Sequence, residues 1–107
     1  MPRYLIERRI DGVGGNSEEW LCGISEKSND VLADLQRAGK HVQWEHSYLT
    51  GDAIYCVYVA ANPDLVLEHA RLGGFPADRI MEVHTIIDPV TGEASVKRQL
   101  QSAAASG

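Results

Sequence analysis

The chain has 107 residues, 44% of them hydrophobic, and carries a formal net charge of −5. It contains neither an apolar run that could span a bilayer nor a charged-then-apolar leader, so one cytoplasmic domain with no membrane partner is expected. The acidic balance, relieved locally at Arg8 and Arg9, argues against a nucleic-acid partner, which would need a basic stripe to neutralise phosphates.

Arg3 to Ile10 alternate and are rich in Leu, Ile and Tyr, which predicts a first strand broken by Asp11-Gly12 and Gly14-Gly15. Those glycines lack the G-x-G-x-x-G spacing and the Walker lysine, so they read as a flexible turn. Asn16 or Ser17 can cap a helix, with Glu19 at the capping-box position from Asn16. Trp20, Ile24, Val31, Leu35 and Ala38 then recur at helical spacing until Gly39. Val42 to Thr50 alternates as a strand, and Gly51-Asp52 suits a tight turn into Ala53 to Ala61. Asn62-Pro63-Asp64 opens a second helix, Gly73-Gly74 and Pro76 close it, and a last strand is expected from Arg79 to Ile87. Residues 1–89 therefore read as the domain. Residues 90–107 read as a tail with a short helix around Val96 and Leu100 and a fraying Ser-Ala end.

The order β-α-β-β-α-β predicts a ferredoxin-like α+β fold, with a four-stranded antiparallel sheet in order 4-1-3-2 and both helices on one face. The other face must meet water or a second copy. A homodimer with a cavity between two facing sheets, an α/β barrel, is expected.

With Gly51 and Asp52 as the turn, Ser47 should face Cys56 and Glu45 should face Tyr58. The helix side is then expected to take Tyr4, Ile6, Ile10, Trp44, His46, Val57 and Met81. The open side is expected to hold a polar set: Glu7, Arg9, Glu45, Ser47, Cys56, Tyr58, Glu82 and His84. These eight are the candidate ligand-binding residues. Cys22, on a helix, and Cys56, in a strand, read as free thiols without a paired-cysteine metal motif.

Thiol and imidazole donors suit nickel, copper or zinc. Against that, Cys56 and His84 would lie two strand spacings apart, roughly 9.5 Å, too far to share one ion without a bridging ligand. Arg9 would instead favour a small anionic ligand. Cys56 alone is commonly a small hydrophobe, His69 shares a helical stripe with Leu65 and Leu72, and carboxylates such as Glu45 and Glu82 are commonly paired or solvated.

Pro2-Arg3-Tyr4-Leu5, Trp44-Glu45-His46-Ser47-Tyr48, Ile54-Tyr55-Cys56-Val57-Tyr58 and His69-Ala70-Arg71 through Gly74-Phe75-Pro76-Ala77-Asp78-Arg79-Ile80-Met81-Glu82-Val83 resemble a small bacterial family of mostly unassigned function. That family includes a dimeric nickel-binding protein of ferredoxin-like fold. The resemblance covers residues 2 to 89 and implies a homodimeric barrel, with nickel or another transition metal as the ligand. Its matching positions are Cys56, His69 and Glu82, to which the open-face reading adds His84. Arg8, Arg9 and Phe75 stand where the nickel-binding relative carries histidines.

Three functions are thus in contention. The first is a homodimeric protein binding a transition metal or a small anion. The second is a cofactor-free monooxygenase or isomerase with His84 or Glu82 as general base, and the third is a non-catalytic interaction module.

Overall fold

A computed structural model describes residues 1–93, so the expected tail helix around Val96 and Leu100 lies outside the described residues. The elements run β1 (Arg3–Arg9), a 3-10 turn (Val13–Gly15), α1 (Glu18–Arg37), β2 (Val42–Leu49), β3 (Ala53–Ala60), α2 (Pro63–Gly73) and β4 (Arg79–Val83). The sheet order is β2-β3-β1-β4, the expected 4-1-3-2 arrangement, with all pairs antiparallel. No described helix is long and apolar enough to cross a membrane.

Local chemistry sets the boundaries. Ser17, not Asn16, caps α1 by accepting from the Trp20 amide at 3.2 Å, with Glu18 and Glu19 complementing the positive helix end. Asn62 caps α2 in the same way through the Leu65 amide, and Gly74 ends it at φ 70°. The glycine turn is less free than its composition suggests. Val13 is fully buried, and Gly14 packs so tightly on the hairpin turn that a Cβ would sit 2.6 Å from the Thr50 carbonyl oxygen.

β4 stops at Val83, four residues short of the expected Ile87. Val83 pairs with Arg3, the first residue of β1; the preceding residue is Pro2, which has no N–H to extend a ladder. His84 therefore lies just past the strand.

Both helices cover one sheet face. Leu32 and Leu35 of α1 and Val66 of α2 pack on Tyr4, Ile6, Val42, Cys56, Tyr58 and Ala60. Ile6 is fully buried at the middle of the central strand. Its truncation to alanine is expected to cost about 2–5 kcal/mol, a large part of the roughly 5–15 kcal/mol typical of such a domain. A lowered urea midpoint with unchanged slope would show it.

Candidate functional site

The expected turn and the Ser47 to Cys56 pairing are present, but the expected faces are not. In β1 and β3, Ile6 pairs with Cys56 and Tyr4 with Tyr58, and cross-strand partners share a face. Since Tyr4 and Ile6 point into the helices, Cys56 and Tyr58 must do so too. They are 4% and 2% exposed. A bulge at Glu45 separates the Trp44–Tyr58 pair from the His46–Val57 pair. Glu45 therefore does not oppose Tyr58, and Trp44 and Ser47 come to share the helix-facing side.

The predicted polar set is accordingly divided. Ser47, Cys56 and Tyr58 lie under the helices, while Glu7, Arg9 and Glu45 remain on the open face, where Glu7 pairs with Arg9 at 2.9 Å and Arg3 with Glu45 at 2.8 Å. Glu82, opposite Tyr4, belongs to the helix-facing register and is exposed on edge strand β4. His84 is exposed beyond that strand. His46, expected to pack inward, is instead exposed, with Nε2 3.1 Å from the Tyr48 hydroxyl. The open face is apolar at its centre: Leu5, Val57 and Met81 form one row across it, flanked by Val59, Val83 and Tyr55. The pocket expected on that face is one that a second copy would close.

A cavity of about 230 Å³ lies instead between α1 and the sheet. Leu21, Ile24, Ser25 and Ser28 supply its α1 wall at i, i+3, i+4 and i+7, the spacing of one helical face. Arg8, Cys56 and Tyr58 supply part of its sheet wall, and Trp44, Ile54 and Phe75 close it with apolar surface. The Trp44 indole N–H donates to Ser47 Oγ at 2.8 Å, which fixes the ring plane. Phe75 gains its position from a glycine, because a Cβ on Gly73 would stand 2.1 Å from the phenyl ring.

Arg8 dominates the electrostatics. It is 4% exposed, its Nη1 donates to the Pro76 carbonyl, and its guanidinium carbon lies 5.5 Å from the Phe75 ring centre and 5.9 Å from that of Tyr58. No carboxylate among the described residues pairs with it. Its Nη2 is buried without a hydrogen-bond partner. A buried cation in that condition carries an uncompensated desolvation cost.

Beside it, His69 is fully buried, 3.1 Å from Ser28 Oγ through Nε2 and without a partner at Nδ1. Burial, reinforced by the Arg8 charge, depresses its pKa to about 4. His69 is thus a neutral ring at neutral pH. Burial likewise raises the Tyr58 pKa, opposed by the Arg8 charge, so its hydroxyl is a neutral donor.

The candidate metal ligands are not gathered. His69 is on α2, Glu82 and His84 are at an exposed edge, and Cys56 is in the cavity wall. No group of three His, Cys, Asp or Glu side chains suited to a metal ion occurs among the described residues. Arg8, Ser25 and Ser28 were missed by the sequence reading. The signal was available: two hydroxyls on the buried stripe of α1, and an arginine at the same alternation as Tyr4 and Ile6.

The model of the nickel responsive protein SCO4226-like family matches residues 4–83. The chain belongs to that family. In fold it is similar to the crystal structure of SCO4226 from Streptomyces coelicolor A3(2), with a TM-score of 0.65 and 21% identity over 79% of this chain and 99% of that one. No curated protein matches the chain. At that identity the likeness extends to the fold alone, while the family's name relates the chain to nickel.

Proposed function

We propose that this protein binds a small anionic ligand in the cavity between α1 and the sheet and acts as a homodimer through its open sheet face. The observation that carries the reading is Arg8, a buried cation that lines the cavity and has an Nη2 without a partner, on a wall that contains no carboxylate. An anion there would receive a charge-assisted hydrogen bond and offset the desolvation already incurred by the guanidinium.

Nickel, the metal its family is named for, suits this cavity poorly. Cys56 is the only cysteine or histidine on its wall, and the fixed charge of Arg8 opposes a divalent cation. The enzyme reading is also disfavoured, since neither Glu82 nor His84 lines the cavity. The expected result in a thermal-shift assay is stabilisation by millimolar carboxylate or phosphate, about 2.7 kcal/mol at a hundredfold excess over Kd, and none by nickel. Stabilisation by nickel, with no response to any anion, would overturn the reading.

Homodimerisation is supported by the apolar row Leu5, Val57 and Met81 and by the two ion pairs beside it, Arg3 with Glu45 and Glu7 with Arg9. Charges already neutralised within one chain can approach a second copy at lower desolvation cost. Val57→Asp puts an unpaired carboxylate in the middle of that face. Sedimentation is expected to give a dimer for the wild type and a monomer for the variant; a wild-type monomer would remove this part of the proposal.

A further inference from the structure

We infer that the cavity's ligand is a small aromatic monocarboxylate, its carboxylate held by Arg8 and its ring lying between Trp44, Phe75 and the apolar face of α1. This rests on the anion-pocket reading above and adds charge, size and shape to it.

Charge comes first. Arg8 is the only ionisable cation on the wall, and neither Asp nor Glu lies there. One negative charge balances the site, whereas a dianion would leave excess charge in a low-dielectric cavity. With Nη1 engaged by Pro76, Nη2 is left without a partner in the protein. The second carboxylate oxygen meets the hydroxyl of Tyr58 from the sheet wall or of Ser28 from the α1 wall. His69 supports this arrangement from behind, holding Ser28 Oγ through Nε2 at 3.1 Å; in the tautomer with its proton on Nε2, the ring would donate and leave the serine proton for the ligand.

Size comes next. A volume of about 230 Å³ corresponds to roughly eight water-sized groups at about 30 Å³ each, a carboxylate on a single ring rather than a nucleotide or a long acyl chain. Shape follows from the walls. Trp44 is locked by Ser47, and Phe75 is seated against the bare Gly73, so two flat surfaces are already in place. Preformed aromatic walls favour a planar guest, which packs by offset or edge contacts, over a puckered one of equal volume. Leu21, Ile24, Leu49 and Ile54 line the remainder without a polar group in their side chains.

The test is isothermal titration calorimetry on the full chain with benzoate, cyclohexanecarboxylate, acetate and inorganic phosphate. Benzoate is expected to bind about tenfold or more tightly than each of the others, since loss of ring burial or flatness removes part of the apolar contact. Leu21→Trp, which fills part of the apolar lining, is expected to weaken benzoate about tenfold and acetate by less. Acetate, phosphate or cyclohexanecarboxylate binding as tightly as benzoate would overturn the ligand class while leaving the anion pocket standing. Binding of none of the four would overturn both. Should Leu21→Trp fail to fold, the ranking of the four ligands on the wild-type chain still decides.

Discussion

Arg8→Met is expected to reduce anion affinity by roughly 30- to 100-fold while changing the stability of the unliganded protein by no more than about 2 kcal/mol. The two outcomes have different causes. In the free protein, the substitution removes the hydrogen bond to Pro76 and the contacts over Phe75 and Tyr58. These are worth about 1.5–3 kcal/mol for the charged hydrogen bond and about 0.5–2 kcal/mol for each cation–π contact. It also removes the burial of an unpaired guanidinium, a penalty of several kcal/mol that acts in the opposite direction. A methionine of similar length fills most of the same space. In the complex nothing offsets the loss, because the ligand's carboxylate is left desolvated without its cation. Urea denaturation and calorimetry on the same preparation separate the two effects. A variant that binds anions as well as the wild type would show that Arg8 is a structural cation only.

Acid is expected to destabilise the fold through His69. Its pKa is about 4 in the folded chain, below the usual 6.5, so between these values the unfolded chain takes up a proton that the folded chain refuses. The contribution is complete above about pH 6.5 and is lost as the pH falls toward 4, amounting to about 3 kcal/mol at most. Carboxylates also titrate in this window, so the informative quantity is a difference between proteins. The stability lost between about pH 7.5 and 4.5 is expected to be smaller in His69→Gln than in the wild type by about 2–3 kcal/mol, measured by urea denaturation at each pH. Equal losses would mean that His69 protonates freely in the folded chain. Because the Arg8 charge assists burial in lowering this pKa, Arg8→Met is expected to narrow the acid-sensitive window as well.

The elements and their order were legible because each is signalled locally. Ser17 and Asn62 as caps, Gly74 as a stop and Gly51-Asp52 as a turn require no knowledge of distant contacts. Which face of a strand meets the helices is a different kind of fact. Alternation divides β3 into Tyr55, Val57 and Val59 against Cys56 and Tyr58, and both sets are apolar enough to be buried. The choice is made by its neighbour: Ile6 pairs with Cys56, and that pairing is set across the sheet rather than along the chain. Hydropathy favoured the wrong side because the uncovered face is itself apolar. Arg8 was obscured for a related reason, since a charged residue in a strand is ordinarily assigned outward, even though its alternation with Tyr4 and Ile6 directs it inward.

The bulge at Glu45 has a consequence for how such a chain can vary. In an uninterrupted strand, residues three apart point in opposite directions, so Trp44 could not donate to Ser47 across one surface. The extra residue inverts the parity of everything after it, sending Ser47 and Leu49 toward the cavity and His46 and Tyr48 to the opposite surface. Were Glu45 instead to take a regular place opposite Val57, the two groups would be exchanged at a stroke, carrying an imidazole and a phenol into the cavity and a hydroxyl and an isobutyl group out of it. Loss of Glu45 itself would keep both sets of residues where they are, so it is the bulge, and not the length of β2, that sets the chemistry of the cavity.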